Sequence, residues 1–262
     1  MKVIVVILCL LAGAAQAADE LCGNYGCPIG MSASNQRVER PIYILSNNAT
    51  TKFADWAAYR VTPATINGPS RKRHWKADPE IAPENTLEPD DYRGAHENLQ
   101  TDRGHLVPLA SFSNTEFYKM TNYLSNITPQ KSNLNQGPWV DLETAVRQLV
   151  ETGQTVFVVT GPMYESFSGD LPGADETHRI PSGYFKIISV WQAEQPRLSA
   201  FVMPQSAGRK DNYCGFEVSV DEVERRTGLD FMPAMPKELP DGELNVENKT
   251  GGLSQDLGCQ AP

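Results

Sequence analysis

The sequence predicts an α+β fold, a single domain with a central, mainly antiparallel sheet flanked by helices. Five short runs rich in β-branched or aromatic residues lie between turn residues, as is typical of strands. These runs are 42–45, 57–61, 155–160, 184–190 and 198–203. Few of them are separated by a helical segment, and parallel strands need such a crossover, so antiparallel pairing is favoured.

Two helices are predicted beside these strands. Residues 139–151 carry apolar side chains at helical spacing, and Pro138 falls in the first turn, where the missing N–H of proline is tolerated. Residues 220–227 form the second segment, with Ser219 or Asp221 near its N-terminal cap.

The N-terminus has the pattern of a signal peptide over 1–17. Lys2 precedes an apolar run over 3–11 and a small-residue stretch, with cleavage expected after Ala17. A membrane anchor needs about 20 apolar residues. A core strand, the alternative, lacks polar alternation. We therefore expect a secreted protein, extracellular or periplasmic, whose mature chain of 18–262 is one domain and does not enter a membrane.

The cysteines fit an oxidising compartment. Cys9 falls in the predicted leader, which leaves Cys22, Cys27, Cys214 and Cys259. Four cysteines allow three pairings. In one of them Cys22–Cys27 closes a small loop and Cys214–Cys259 ties the C-terminal tail to the body, the latter stabilising the fold by about 3 to 4 kcal/mol. A metal site is the alternative, but the spacings lack the paired, closely spaced thiols of zinc modules.

The formal net charge of -9 argues against binding of nucleic acid by bulk electrostatics, which normally needs a positive face. A local exception is the segment 71–76, in which basic residues surround Trp75. Such a basic, partly aromatic patch fits a phosphate backbone. A solvated loop is the alternative. The basic residues are Arg71, Lys72, Arg73, His74 and Lys76.

Candidate catalytic groups lie close together in 101–108. Asp102, Arg103 and His105 place a carboxylate, a guanidinium and an imidazole near one another, and Gly104 permits a backbone turn that most residues resist. An imidazole can take a proton from water near neutral pH, and a guanidinium suits phosphate oxygens. Asp102 either orients the imidazole or closes a turn. An ordinary loop is the alternative for the whole run.

The segment 122–137 is rich in amides and includes Asn126 and Asn135. An Asn side-chain oxygen is a hard, neutral ligand for Mg²⁺, which keeps several waters and takes substrate phosphate oxygens. An Asn-rich turn and helix cap is the alternative. In the following helix, Glu143 and Arg147 lie four residues apart and share a face. They either reach a common anion or metal–water cluster, with Asn135 about two turns earlier, or form an exposed ion pair of about 0.3 kcal/mol.

In combination, these segments resemble the DNA/RNA non-specific endonucleases of the ββα-metal type. The resemblance is carried by Asp102–His105, by 122–137 continuing into Trp139 and Glu143, by 73–76 and by 220–229. Further matches at 50–54 and 160–162 extend it over nearly the whole mature chain. It implies the ββα-metal nuclease fold. It also implies a secreted endonuclease acting on single- and double-stranded DNA and RNA.

The resemblance assigns roles to individual residues. His105 matches the general base that activates water. Asn135 matches the direct protein ligand of one Mg²⁺, for which Mn²⁺ can substitute, and Glu143 holds the waters of that ion. Arg73 matches the arginine that stabilises the transition state. The remaining matches are Arg103 and Arg147 as further phosphate-binding arginines, Asn126 as an amide lining the site, and Asp102 as supporting structure.

Further expectations follow from the same resemblance. Contacts to the sugar-phosphate backbone rather than to base edges give little sequence preference, and the products carry 5′-phosphates. A homodimer is implied, and Cys22 and Cys27 enclose one residue more than in a member of the family, so this loop is expected to differ. An inactive nuclease-fold protein that binds nucleic acid is the alternative. An esterase or protease is disfavoured because no Gly-x-Ser-x-Gly elbow accompanies His105.

Overall fold

The computed structural model describes residues 20–166, 169–192, 195–235 and 246–259, so the predicted signal peptide lies outside the described residues. The strands are β1 Gln36–Arg40, β2 Tyr43–Asn48, β3 Phe53–Val61, β4 Thr101–His105, β5 Ile127–Lys131, β6 Val156–Met163, β7 Gly183–Gln192, β8 Gln195–Pro204 and β9 Glu217–Val218. Within the described residues, seven of them form one antiparallel sheet in the order β1-β2-β3-β6-β7-β8-β9, and β4 and β5 form a separate antiparallel pair.

Short helices and turns surround the sheet. The α-helices are α1 Ala95–Leu99, α2 Ser132–Leu134, α3 Val140–Glu151 and α4 Val220–Thr227, and a π-helical turn, Asn135–Trp139, joins α2 to α3. Turns of 3₁₀ helix lie at Pro83–Asn85, Leu109–Phe112, Glu116–Asn122, Leu124–Asn126, Tyr213–Phe216 and Val246–Asn248. The predicted cap of α4 is confirmed, because Ser219 Oγ accepts a hydrogen bond from Glu222 N at 3.2 Å.

The two faces of the sheet bury two separate apolar cores. Alternate residues of a strand point to opposite faces, so Tyr184 and Ile188 of β7 join the core under α3 while Phe185 and Ile187 join the core under α4. Helix α3 contributes Leu142, Ala145, Val146 and Leu149 to the first core. The predicted α+β fold with a mainly antiparallel sheet is therefore confirmed. The five predicted strand runs coincide with β2, β3, β6, β7 and β8, except that the runs 42–45 and 155–160 begin one residue before β2 and β6.

The run Asp102–His105 is a strand and not the loop that its composition suggested. It pairs with β5, placing Asp102 opposite Gln130 and Gly104 opposite Thr128. Gly104 has no positive φ, so the prediction that it serves a backbone turn is wrong. An added Cβ at Gly104 would lie 2.6 Å from Gln130 Oε1. Glycine is needed here for space, because the Gln130 side chain covers it.

The start of α3 also differs from the prediction. The α-helix begins at Val140, and Pro138 lies in the π-helical turn before it. Gly137 leaves the helical region with φ -124° and ψ -119°. An added Cβ at Gly137 would lie 2.5 Å from the carbonyl oxygen of Arg209. Only glycine fits at this position, and the chain leaves the helical path here, directly before Pro138, so 132–151 is not one continuous helix.

Two disulfides, Cys22–Cys27 and Cys214–Cys259, join the cysteines in the expected pairing. A metal site at these cysteines is thereby ruled out. The second bridge spans 45 residues and holds the chain after β9 and α4 against the body. Among the described residues, no helix is long and apolar enough to cross a bilayer.

Candidate active site

A cleft of about 620 Å³ opens where β4, the π-helical turn and α3 meet. All but one of the site residues predicted from the sequence line this cleft. Those that line it are Arg73, Asp102, Arg103, His105, Asn135, Glu143 and Arg147. Strand β4 supplies three of them, the π-helical turn supplies Asn135, and α3 supplies Glu143 and Arg147. The antiparallel pair β4-β5 followed by these helical turns forms the ββα unit.

His105 is held by a neighbour that sequence analysis did not identify. Its Nε2 lies 3.1 Å from Asn122 Oδ1, and its ring lies 5.3 Å from the indole of Trp75. With Asn122 as the acceptor, Nε2 carries the proton and Nδ1 keeps a lone pair. The pKa of His105 is lowered to about 4, mainly by burial, with Asn122 opposing the shift and Arg73 adding to it. The imidazole is therefore neutral at pH 7, as a general base must be.

The depressed pKa of His105 predicts where activity falls in acid. Because the neutral form persists down to about pH 4, a general base at this position should stay competent well below the ordinary histidine pKa of about 6.5 and be lost as the pH falls towards 4. The acid limb of kcat/KM, measured with circular dichroism at each pH to exclude unfolding, should lie below pH 6. A limb at or above 6.5 in folded protein would contradict a desolvated base.

Asp102 orients the amide of Asn135. Its Oδ2 accepts from Asn135 Nδ2 at 2.9 Å and from Gln136 Nε2 at 2.7 Å, and its Oδ1 accepts from Ser132 Oγ at 2.7 Å. Burial raises the pKa of Asp102, but these hydrogen bonds outweigh it and lower the pKa below its ordinary value. Asp102 is therefore an ionised acceptor. It uses the nitrogen of the Asn135 amide and leaves the oxygen for another partner.

The donor set around Asn135 fits a hard cation. No described residue donates a hydrogen bond to Asn135 Oδ1, and Glu143 lines the same cleft. Oxygen ligands of this kind suit Mg²⁺, which keeps much of its water shell. The π-helical turn turns Asn135 and Glu143 towards one cavity, and such turns occur frequently at functional sites.

Glu143 lies above a buried lysine. Lys186 of β7 is fully buried, with Nζ 4.3 Å from the centre of the Trp139 ring and 3.4 Å from Tyr59 Oη. Burial raises the pKa of Glu143, whereas Lys186 and Arg147 oppose that shift. Burial lowers the pKa of Lys186 to about 8 despite Glu143. The half-buried Glu143 carboxylate and the buried Lys186 ammonium therefore each favour the charged form of the other.

Three arginines line the cleft, and two of them, Arg103 and Arg147, keep a donor that is unpaired in the described part of the chain. Arg103 Nη2 donates to Pro89 O at 2.8 Å, and its guanidinium lies over the rings of Trp75 and Tyr92. Among the described residues, Arg103 Nε and Arg147 Nη1 are buried without a hydrogen-bond partner. Arg147 forms no ion pair with Glu143 within the described chain, so the alternative of an exposed ion pair is wrong. Buried, unpaired guanidinium donors favour an anionic ligand.

Asn126 does not reach the cleft. It is completely buried, its Nδ2 donates to Val107 O and Thr121 O, and its Oδ1 accepts from Val107 N at 2.9 Å. Its backbone oxygen accepts from Leu106 N. Asn126 therefore anchors the chain that follows His105 instead of lining the site.

The basic segment 71–76 is divided in the structure. Arg73 and Trp75 line the cleft, Arg71 stacks on Tyr118 at 4.2 Å and donates to Ser113 O at 2.9 Å, and Lys72, His74 and Lys76 are exposed. Sequence reasoning missed Trp75 as a neighbour of His105, and also Asn122. Asn122 lies at the head of the amide-rich run, but no local signal distinguishes it from the other amides.

A second group of carboxylates lies outside the residues that line the cleft. Ligand atoms of Asp91, Asp175 and Glu176 all lie within 4.8 Å of one another, close enough to share a cation. Burial raises the pKa of Asp91, and Asp175 raises it further. The next residue after Asp91, Tyr92, lines the cleft, so any assignment of a metal to Asn135 must be tested against this group.

Comparisons with known proteins agree with the ββα fold. The model of the DNA/RNA non-specific endonuclease family matches residues 23–238. The chain is 42% identical over 259 residues to a nuclease of Serratia marcescens, across 96% of this chain and 95% of that protein. It is 28% identical over 229 residues to mitochondrial endonuclease G of Homo sapiens, across 80% of this chain and 72% of that protein.

A solved structure gives the same result. The structure of an EndoG/EndoGI complex, which addresses the mechanism of EndoG inhibition, superposes with a TM-score of 0.70 at 25% identity, covering 85% of this chain and 92% of that one. The predicted ββα-metal nuclease fold is thus confirmed. Because the family model matches most of its length, the chain belongs to the DNA/RNA non-specific endonuclease family.

Proposed function

We propose that the protein is a secreted, Mg²⁺-dependent endonuclease that hydrolyses phosphodiester bonds of single- and double-stranded DNA and RNA, leaving 5′-phosphates. Membership of the family supports a hydrolytic endonuclease. The observation that carries the finer proposal is that a neutral imidazole, two oxygen donors and three arginines line one cleft.

In this proposal His105 is the general base. Its Nδ1 takes a proton from a water whose oxygen forms a bond to phosphorus, while the bond from phosphorus to the 3′ oxygen breaks. Asn122 keeps Nε2 as the donor and so keeps Nδ1 available. Arg73, Arg103 and Arg147 donate to phosphate oxygens as negative charge accumulates there.

Asn135 Oδ1 would hold the metal ion directly and Glu143 would hold its waters. When bound, the ion supplies positive charge to the phosphate and the leaving oxygen. Asp102 orients the Asn135 amide and is a positioning residue. Mn²⁺, which also accepts oxygen ligands, should substitute for Mg²⁺. Contacts to the sugar-phosphate backbone of the substrate do not distinguish one base from another, so we expect little sequence preference.

Secretion and a homodimer complete the proposal. The two disulfides support an oxidising compartment. The homodimer is proposed from the family resemblance. Analytical ultracentrifugation of the purified protein tests it by measuring the mass of the species in solution.

Removal of the metal tests the proposal directly. With purified protein, duplex DNA, single-stranded DNA and RNA should all be cut with Mg²⁺ present, and chelator should abolish cleavage until Mg²⁺ is added in excess. Circular dichroism in chelator is the control for folding. Binding of nucleic acid with no cleavage under either condition would favour the inactive binding protein instead.

A further inference from the structure

A polar groove of about 320 Å³ continues from the cleft on the far side of His96. His96 lines both spaces, and its Nδ1 lies 3.3 Å from Asp102 Oδ1. The groove is lined by Gln100, Lys131, Ser132, Asn133, Gln205 and Ser206. Since one side chain borders both cavities, a chain-like ligand in the cleft can extend into the groove.

The groove has the chemistry of a polyanion site. Within the described parts of the chain, no residue lining it carries a carboxylate, although the whole chain has a net charge of -9. Its floor is rigid, because Gln205 accepts from Lys131 N at 2.7 Å and donates to Pro129 O at 2.8 Å. Neutral amides and hydroxyls, such as those of Asn133 and Ser206, commonly contact phosphate and sugar.

Two cations, Arg209 and Lys210, follow closely in sequence on residues 205–207, which line the groove. The loop that begins with Gln205 and Ser206 continues into a turn in which Asp211 Oδ2 accepts from Gly208 N at 2.7 Å. Arg209 and Lys210 lie between Gly208 and Asp211 in this turn and are exposed. Neither of the two forms an ion pair with any described residue. The turn packs on Gly137 through the Arg209 backbone. The backbone that carries the two cations therefore lies beside the helical turn that contains Asn135.

We propose that this groove, together with Arg209 and Lys210 of the turn that follows it, binds the sugar-phosphate backbone of the substrate adjacent to the scissile phosphate. The inference rests on the proposed nuclease function and extends it, because the groove makes cleavage depend on substrate length. Each phosphate that the groove neutralises releases counterions, so its contribution weakens as salt increases.

The test compares the double variant Arg209→Ala/Lys210→Ala with Arg37→Ala/Arg225→Ala, which removes two exposed cations elsewhere and changes the net charge equally. For a long single strand, the KM of the first variant should rise about tenfold at low salt. The slope of log KM against the logarithm of the salt concentration should become shallower by about 1.4, because two phosphate contacts are lost. Its kcat should stay within about twofold of the parent, since no reacting group changes. For a dinucleotide, too short to reach the groove, KM should match the parent.

Three outcomes would overturn the inference. KM and salt dependence on the long strand could equal those of the parent, the dinucleotide could be affected as strongly as the long strand, or the control pair could have the same effect. Failure of the nuclease function is distinguishable, because the parent then cuts neither substrate. In that case, fluorescence anisotropy still measures the affinity of the His105→Ala protein for a labelled strand. If this affinity is the same with and without the Arg209→Ala/Lys210→Ala substitutions, the proposed role of the groove is rejected.

Discussion

The His105→Ala protein is expected to fold normally and to lose about 100- to 10,000-fold in kcat on DNA and RNA alike, the usual contribution of a general base. The loss should be in kcat, because the role proposed for His105 is on the water and not on the bound strand. Removal of the ring also leaves the half-buried space beside Trp75 open. Added imidazole should therefore restore part of the rate.

The measurement is initial cleavage of duplex DNA, single-stranded DNA and RNA, with circular dichroism to verify the fold. His74→Ala is the matched control, since it removes an exposed imidazole that does not line the cleft. If folded His105→Ala protein cuts at the rate of the parent, another group removes the proton and the proposed mechanism fails.

Asn135→Ala should have a comparably large effect through the metal. Replacing a residue that only orients a metal ligand commonly costs 10- to 100-fold in metal affinity, so loss of a direct ligand should cost more than about 100-fold. Activity at limiting Mg²⁺ should nearly vanish and return partly at high Mg²⁺. Calorimetric titration of Mn²⁺ into the folded protein measures the same loss without any turnover.

The carboxylates Asp91, Asp175 and Glu176 provide the discriminating control. Asp175→Asn removes one charge from this group, whose ligand atoms lie within 4.8 Å of one another, and leaves Asn135 unchanged. If the metal lies at Asn135, Asp175→Asn should keep the Mg²⁺ dependence of the parent. If instead Asp175→Asn abolishes it and Asn135→Ala does not, the assignment of the metal is wrong.

Much of the fold could be predicted because its signals are local. The runs of β7 and β8 are apolar, bounded by turn residues and adjacent in sequence, and α4 has both its cap at Ser219 and Gly228 at its end. Strand β4 could not be predicted in this way. Asp102, Arg103 and Gly104 have turn-like composition. They are extended because β5 pairs with them from 24 to 28 residues away, as the opposition of Asp102 and Gln130 and of Gly104 and Thr128 illustrates.

By itself, the sequence determined the family, the disulfide-forming cysteines and the nominated residues, because ordered motifs and residue types are properties of the chain alone. Only the tertiary structure decided how these residues are used. His105 meets Asn122 across 17 positions and Asp102 meets Asn135 across 33, while Asn126 is fully occupied by backbone groups. Protonation, amide orientation and burial depend on contacts between distant segments, and no local pattern encodes such contacts.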